Sequence, residues 1–329
     1  MATYDVVTLG ETMLRFTPPG VQRIDQAPHF ELEVGGTESN TSVGLARLGL
    51  NVAWLSRLPA NPLGRRIART LAGQGVDTSH IVWSATDRLG LYFVEFGDGP
   101  RPTQVTYDRA DSAMSRMQPE ELPVELFEPG RARHLHLTGI TVAISQSAAA
   151  TARRAVEMAK AAGMSFSFDV NYRAKLWSPA QAKAGCHEFA SAANIFFTPI
   201  RDAESIYGVS GDPDTALAQL QAQYPQATII LTLGAEGAIG AEPGRAAISQ
   251  SVFPAGTVGR IGGGDAFTAG VLYGYLTDSN LDTRLATALR WGAAAAAYKY
   301  TIPGDMPLFE KEEVEGLLHS GNQAPQVRR

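Results

Sequence analysis

A run of three glycines followed by an aspartate is the stretch of this 329-residue chain with the clearest chemistry. It reads Gly-Arg-Ile-Gly-Gly-Gly-Asp over residues 259–265, and a helical pattern begins at Asp265 and continues to Leu276. Glycines let a backbone turn tightly and bring its free N–H groups close to a ligand. Because the following helix adds the positive end of its dipole, the turn predicts a phosphate-sized anion hole at residues 262–264.

Asp265 lies beside that turn, in the first turn of the predicted helix. A carboxylate there can accept the proton of a substrate hydroxyl while the N–H groups of the turn stabilise a phosphoryl group in transfer. The alternative is structural, because a carboxylate at a helix start also caps the helix and interacts favourably with its dipole. Hydroxyl phosphorylation and helix capping are the two interpretations of this motif taken alone.

Apolar runs alternating with helical stretches predict the scaffold that positions the turn. The runs typical of buried strands are residues 6–9, 52–55, 134–138, 165–169, 195–198 and 228–233. The helical stretches between them are residues 42–48, 65–74, 145–162, 180–193 and 216–224, and residues 264–298 are nearly all helical with a break near 278–281. This alternation predicts an α/β protein whose mainly parallel sheet is covered by helices on both faces.

Two segments interrupt the alternation, residues 13–34 and residues 89–109. Each contains a turn sequence, PPG in the first and GDGP in the second, beside stretches in which apolar residues alternate with others. They are interpreted either as surface elaborations or as a small β-sheet lid. A lid would cover the carboxyl ends of the parallel strands, where open α/β sheets bind their ligands.

Composition and missing motifs exclude several classes of protein. Hydrophobic residues make up 44% of the chain, enough for a large core, and the formal net charge of −5 disfavours nucleic acid and anionic membranes as partners. One cysteine, no signal-like start and no long apolar run predict a cytoplasmic protein. The chain has no GxxxxGK[ST], no GxGxxG after the first strand, no HExxH and no paired CxxC, so no dedicated metal site is predicted.

Two longer motifs, taken together, are more specific than the glycine turn. The first is Gly-Gly-Thr-Glu-Ser-Asn at 35–40 followed by Gly-Leu-Ala-Arg-Leu-Gly at 44–49, and the second is Arg-Ile-Gly-Gly-Gly-Asp-Ala-Phe at 260–267. They resemble, in this order, the two signatures of the ribokinase-like (PfkB) carbohydrate kinases, and the resemblance extends over nearly the whole chain. Within this family, the chain most resembles the members that phosphorylate 2-keto-3-deoxygluconate. The stretches that carry this resemblance are residues 135–140, 169–173, 176–179 and 301–307.

The resemblance implies a fold and a set of ligands. The fold is a Rossmann-like, mainly parallel central sheet flanked by helices, with a small β-sheet lid. The implied limits are 1–12, 35–88 and 110–320 for the α/β domain, 13–34 and 89–109 for the lid, and 321–329 for a flexible tail. ATP is the implied co-substrate and Mg²⁺ the implied cofactor. The resemblance also implies a homo-oligomer, a dimer or larger, in which subunits pair through their lids.

The resemblance also implies roles for individual residues. Asp265 corresponds to the catalytic base, and the anion hole corresponds to Gly262, Gly263 and Gly264. The residues expected to bind the sugar are Gly35, Gly36, Asn40, Tyr92, Tyr107, Arg109, Arg173 and Asp265. Those expected to bind ATP are Asn171, Thr232, Gly234, Ala235, Glu236, Gly237, Gly262, Gly264 and Leu289. Without the resemblance, each of these assignments has a structural alternative. Tyr92 could be a core residue, residues 232–237 could form a plain hairpin turn, and Leu289 could serve tight helix packing.

Two arginines are the reason to expect an acidic substrate. Arg109 lies on the second insert, where an exposed arginine has no other evident task, and Arg173 follows the predicted strand that ends at Asp169. Two guanidinium groups at one site suit a carboxylate, which they bind through forked hydrogen bonds, whereas a neutral sugar needs neither. We therefore expect ATP-dependent phosphorylation of 2-keto-3-deoxygluconate at its C6 hydroxyl.

Other functions stay open at this stage. Fructose, ribose and 2-keto-3-deoxygalactonate are alternative substrates for a kinase of the same family. A non-catalytic sugar-binding protein is disfavoured by the intact Asp265 and its glycines. A nicotinamide-dependent oxidoreductase is disfavoured by the missing GxGxxG.

Three positions depart from the pattern of the family. Gly259 stands where an aspartate linked to monovalent-cation binding is common, so activation by K⁺ is not expected. An Asn-x-x-Glu element associated with Mg²⁺ keeps Glu204 but has Arg201 in place of the asparagine. Leu289 stands where an asparagine beside adenine is frequent, which predicts relaxed nucleotide selectivity.

Overall fold

One eight-stranded sheet forms the centre of the computed structural model of this chain, which describes residues 2–320. Its strands, in order across the sheet, are β14 (Ile248–Gln250), β13 (Ala238–Ala241), β12 (Thr228–Thr232), β11 (Ile195–Pro199), β10 (Ser165–Asp169), β9 (Ala132–Thr138), β1 (Tyr4–Leu9) and β4 (Val52–Leu55). The pairs β12–β13 and β13–β14 are antiparallel, and the other pairs are parallel.

Helices cover both faces of this sheet. They are α1 (Thr37–Arg47), α2 (Pro62–Ala72), α3 (Gly139–Ala143), α4 (Gln146–Ala161), α5 (Pro179–Ala192), α6 (Ile200–Asp202), α7 (Pro213–Gln223), α8 (Gly263–Thr277), α9 (Arg284–Tyr300) and α10 (Lys311–Ser320). A π-helical turn, Ala203–Tyr207, follows α6. Helices α4, α5 and α7 pack on one face, and α1, α8, α9 and α10 on the other. Between residues 2 and 320, no helix has the length and apolar character needed to cross a membrane.

Side chains of the central strands pack against the helices on both faces of the sheet. In β1, Val7 and Leu9 belong to the core under α4 and α5, whereas Val6 packs with α8 and α9, because successive side chains of a strand point to opposite faces. A strand buried on both sides is apolar almost throughout. Strands β1, β4, β11 and β12 are therefore nearly continuous apolar runs in the sequence, whereas β9 and β10 alternate apolar residues with buried His or Ser.

The two segments that interrupt the alternation form a separate four-stranded sheet. Its order is β3 (Glu31–Gly35), β2 (Met13–Thr17), β7 (Leu91–Glu95) and β8 (Gln104–Asp108). Strand β2 pairs antiparallel with β3 and parallel with β7, and β7 pairs antiparallel with β8. A further two-stranded sheet consists of β5 (Arg57–Pro59) and β6 (Val82–Ser84).

The predicted fold class is confirmed, with a large, mainly parallel sheet, flanking helices and a small separate sheet. The predicted helical break is observed, since α8 ends at Thr277 and α9 begins at Arg284. The start of α1 was predicted at residue 42 but lies at Thr37, because its first turns are polar yet buried and carry no apolar period. The exact domain limits and the homo-oligomer remain predictions, and the predicted tail, 321–329, lies outside the described residues.

Candidate active site

A cavity of about 670 Å³ opens at the carboxyl ends of the parallel strands. Residues at or just after the ends of four strands line it, namely Glu11, Asp169, Pro199 and Thr232. The small sheet contributes a second wall with Met13, Tyr92, Val94, Val105 and Tyr107. The third wall is the glycine turn at the start of α8. A ligand cleft at this edge is what an open parallel sheet favours.

The glycine turn has a backbone shape that only glycine adopts easily. Gly262 caps α8 with a φ of 80°, in the left-handed region. A Cβ at Gly262 would overlap the Asp305 carbonyl, whereas Gly264 has open space and lines the cavity with Gly262. Gly263 differs from both, because it is buried and its N–H donates to the Arg260 carbonyl at 3.3 Å. The first N–H groups of a helix lack partners within the helix, so the start of α8 can receive an anion.

Asp265 lies in the first turn of α8, at the wall of the cavity, and is 8% exposed. Asn40 Nδ2, from α1, donates to Asp265 Oδ2 at 2.7 Å. Burial raises the pKa of Asp265 to about 7, although the Asn40 hydrogen bond and the charge of Arg173 oppose that rise. A carboxylate whose pKa lies near neutrality is suited to accept a proton from a hydroxyl.

Asn40 is brought to the cavity by the two glycines that precede α1. A Cβ at Gly35 would overlap the Tyr92 hydroxyl, and a Cβ at Gly36 would overlap the Glu11 carbonyl, so the chain passes where a larger residue cannot. All three predicted residues of this segment, Gly35, Gly36 and Asn40, line the cavity. Asn40 Oδ1 is buried without a protein partner and can accept a hydrogen bond from a ligand hydroxyl.

Arg109 lines the cavity, but it already has a carboxylate partner. Its guanidinium forms a buried ion pair with Glu11, whose other oxygen accepts a hydrogen bond from Ser112 Oγ. The guanidinium also lies 5.5 Å from the centre of the Tyr107 ring. The argument that Arg109 has no task besides substrate binding is therefore wrong. Its Nε is buried without a partner, so this N–H is free to donate to a ligand.

Arg173 is the contrasting case, a half-buried guanidinium in the cavity wall without an ion pair to any acidic residue between residues 2 and 320. Its Nη1 donates to the backbone carbonyls of Tyr172 at 3.0 Å and Asn171 at 3.5 Å. The other N–H groups of the fork are available to an anionic ligand.

Tyr92 and Tyr107 stack on neighbouring strands of the small sheet, with 6.0 Å between their ring centres, and both face the cavity. The Tyr92 hydroxyl donates to Asp305 Oδ1 at 2.6 Å, and Arg15 Nη1 lies 2.5 Å from Asp305 Oδ2. Burial raises the pKa of Tyr92 well above its usual range, so this hydroxyl stays a donor. Tyr92 is therefore buried like a core residue and also lines the cavity, as expected of a sugar-binding residue.

The residues predicted to bind ATP fall into two groups. The cavity is lined by Asn171, Thr232, Gly262 and Gly264. An outer turn that follows β12 and does not line the cavity contains Gly234, Ala235, Glu236 and Gly237. Leu289 is fully buried in the core with α8, so the structure does not bring it to a ligand surface. Helix packing accounts for Leu289 without a nucleotide contact.

Oxygen ligands suited to Mg²⁺ are present beside Asn171. This residue has a left-handed backbone, with a φ of 40°, and its Oδ1 is buried without a partner. The carboxylates of Asp169 and Asp202 line the same cavity, whereas Glu204 is exposed and does not line it. In kinases Mg²⁺ is held by one or two protein groups together with phosphates. The free Asn171 Oδ1 and the two carboxylates fit that mode.

The predicted site residues omit seven charged residues in or beside the cavity, namely Glu11, Arg15, Asp169, Arg201, Asp202, Arg260 and Asp305. Glu11 and Asp202 come shortly after the ends of β1 and β11, and that position is the pattern that could have identified them. Arg15 and Asp305 carry no such pattern, because their ion pair joins residues far apart in the chain.

Comparison with known proteins identifies the family. The model of the pfkB family carbohydrate kinases matches residues 3–311 of the chain. The chain belongs to this family. The resemblance identified from the sequence is confirmed, and the protein is a carbohydrate kinase that uses ATP as its co-substrate.

Individual relatives span the whole length of this kinase. It is 38% identical over 320 residues to a 2-dehydro-3-deoxygalactonokinase of Haloferax volcanii, covering 97% of this chain and 98% of the relative. It is 32% identical to a 2-dehydro-3-deoxygluconokinase of Bacillus subtilis, covering 92% and 91%. The solved structure of a 2-dehydro-3-deoxygluconokinase of Thermotoga maritima has a TM-score of 0.85 at 32% identity, covering 96% of this chain and 98% of its own.

Proposed function

We propose that this kinase transfers the γ-phosphoryl group of ATP to the terminal, C6 hydroxyl of a 2-keto-3-deoxy sugar acid. The observation that carries the proposal is the guanidinium of Arg173, which shares a cavity with Asp265 and has no carboxylate partner among residues 2–320. A neutral sugar would leave the free N–H groups of this guanidinium without an anionic acceptor, whereas a carboxylate matches its forked donors.

The transfer itself takes place at the glycine turn. Asp265 accepts the proton of the C6 hydroxyl as that oxygen forms its bond to the γ-phosphorus. The bond between the γ-phosphorus and the bridging oxygen breaks, and ADP leaves with that electron pair. The N–H groups at the start of α8 bind the oxygens of the group in transfer. Mg²⁺ bound with ATP supplies further positive charge to the phosphates, and Asn171 and Asp202 are the residues that would hold it.

The two arginines hold the acid. Arg173 binds the carboxylate, and Arg109, fixed by Glu11, contributes its Nε N–H. Asn40 binds a sugar hydroxyl through Oδ1 while its Nδ2 stays on Asp265. The stacked tyrosines of the small sheet cover the sugar and exclude water, which would otherwise compete as the phosphoryl acceptor.

Two epimers that differ at C4 are the candidate substrates. 2-Keto-3-deoxygluconate is the substrate expected from the sequence, and the relatives from Bacillus subtilis and Thermotoga maritima are named for it under its synonym 2-dehydro-3-deoxygluconate. 2-Keto-3-deoxygalactonate is the second candidate, because identity to the Haloferax volcanii relative is higher, 38% against 32%. The acid end is common to both substrates, so the proposal for Arg173 does not depend on the epimer.

A coupled ADP-release assay on a panel of acceptors tests the proposal. The panel contains both 2-keto-3-deoxy acids, gluconate, fructose and ribose, with Asp265→Asn as the control for ATP hydrolysis by contaminants. We expect one of the two 2-keto-3-deoxy acids to give the highest kcat/KM and a 6-phosphate as the product. A higher kcat/KM on fructose or ribose would show that the enzyme is a kinase for a neutral sugar.

A further inference from the structure

A lysine side chain is buried directly behind the glycine turn. Lys299, near the end of α9, is 0% exposed, and its Nζ donates to the backbone carbonyls of Ile302 at 2.9 Å and Gly304 at 3.0 Å. Among residues 2–320 no carboxylate lies within ion-pair distance of this ammonium. Lysine is almost never fully buried without a charged partner. Its position on two carbonyls therefore calls for a specific explanation.

The loop that Lys299 binds supports the phosphate turn. The Asp305 carbonyl lies where a Cβ of Gly262 would be, and Lys299 Cε lies 3.3 Å from that same Cβ position. The N–H of Gly259, at the entrance of the turn, donates to the Tyr300 carbonyl at 3.2 Å. The end of α9, the loop that follows it and the start of α8 thus pack as one unit around the ammonium.

Position 259 faces the same group of carbonyls. A Cβ at Gly259 would have the carbonyl oxygen of Ile302 as its only neighbour within 4 Å, at 3.8 Å. Backbone carbonyl oxygens are the ligands that proteins offer to K⁺, in place of its hydration shell. A chain with a carboxylate at 259 and no lysine would therefore have the ligands for a dissolved monovalent cation. This chain instead has a glycine at position 259 and a lysine at position 299.

We propose that the Lys299 ammonium is a built-in monovalent cation that positions the phosphate turn. The proposal rests on the anion-binding role proposed for that turn. The ammonium donates to both carbonyls at once, which keeps the loop against Gly262 and the start of α8 in shape. Lys299 does not line the cavity, so it is a positioning residue. Burial lowers the pKa of Lys299, and the nearby charge of Asp305 opposes that change.

The test compares turnover in tetramethylammonium chloride and in KCl, at equal ionic strength, for the parent and for Lys299→Ala. The acceptor is whichever carbohydrate the parent phosphorylates fastest, so a wrong sugar-acid proposal does not affect the result. We expect the parent kcat to differ by less than about twofold between the two salts. In tetramethylammonium, Lys299→Ala should lose roughly 10- to 100-fold in kcat, with KM for the carbohydrate nearly unchanged, because the phosphate turn is misplaced.

Potassium or ammonium ions should restore kcat of Lys299→Ala in a saturable manner, since the freed carbonyls can bind them. The double variant Gly259→Asp/Lys299→Ala should reach half-maximal restoration at a lower K⁺ concentration, because a carboxylate is added beside those carbonyls. Lys160→Ala, which removes an exposed lysine of α4, is the matched control and should behave as the parent.

Three results would overturn the proposal. The first is saturable K⁺ activation of the parent, which decides the question even if Lys299→Ala does not fold. The second is a folded Lys299→Ala enzyme with the kcat of the parent. The third is a folded variant whose lost kcat is restored neither by K⁺ nor by ammonium ions.

Discussion

Two groups of cavity residues, which we call the phosphate end and the acid end, are built in opposite ways. At the phosphate end, consecutive residues 262–265 supply the turn, the helix start and the carboxylate. The acid end consists of Arg109 and Arg173, which come from separate segments, and the first forms an ion pair with Glu11 while the second forms none among residues 2–320. The phosphate end must act on every acceptor, whereas the acid end decides which acceptor is used. Substitutions at the two ends should therefore differ in selectivity as well as in size.

Asp265→Asn should give the largest loss, at the phosphate end. The amide keeps the shape of the side chain but cannot accept the hydroxyl proton, so kcat should fall by roughly 10²- to 10⁴-fold. The loss should be the same for acid and neutral acceptors, and ATP affinity should be retained. Steady-state kinetics with both kinds of acceptor checks this, and a kcat within a few-fold of the parent would remove Asp265 from the role of base.

Arg109→Met and Arg173→Met should lower the free energy of unfolding by different amounts. Removing Arg109 leaves the Glu11 carboxylate buried and unpaired, which should lower the free energy of unfolding by about 3–5 kcal/mol. Removing Arg173 breaks hydrogen bonds to backbone carbonyls and a longer-range attraction to the cavity carboxylates but no ion pair, so it should cost less, about 1 kcal/mol. Urea denaturation measures both values. Equal values would mean that the two arginines do not differ as described.

The pH dependence of kcat/KM should report the ionisation of Asp265 at the phosphate end. The pKa of Asp265 is raised to about 7, and the base must be deprotonated to act. In the free enzyme kcat/KM should therefore fall as the pH drops below 7, by about tenfold per pH unit, and level off above it. Asn40→Ala removes a hydrogen bond that lowers this pKa, so the midpoint should move to higher pH. A midpoint near pH 4 in the parent would contradict the assigned base.

The difference between the two ends also explains what the sequence could predict. The turn at 262–265 and six strands of the main sheet are local patterns of glycine, charge and apolar residues, and they occur where predicted, whereas the short antiparallel strands β13 and β14 are not predicted. The buried polar start of α1 has no such pattern, because Asn40 faces the cavity while Glu38 and Ser42 form buried hydrogen bonds with threonines. The pairs Arg109–Glu11 and Arg15–Asp305 join distant segments, so only the folded chain shows which charges are compensated.

The exposed turn at 234–237 and Leu289 illustrate a related limit. Both were predicted from the resemblance, which gives the place of a residue in the chain but not the direction of its side chain. Leu289 lies on α9 with its side chain in the core, and the turn lies outside the cavity wall. Their roles toward ATP stay predictions.

The selectivity of Arg173→Met tests the central claim most directly. The quantity is kcat/KM for the preferred 2-keto-3-deoxy acid divided by kcat/KM for fructose, measured in the parent and in the variant. Loss of a charge-assisted hydrogen bond costs about 1.5–3 kcal/mol, so the ratio should fall roughly 10- to 150-fold while KM for ATP stays constant. Arg173→Lys should restore only part of the ratio, because an ammonium lacks the fork. An unchanged ratio, with both acceptors losing equally, would contradict the assignment of Arg173 to the carboxylate.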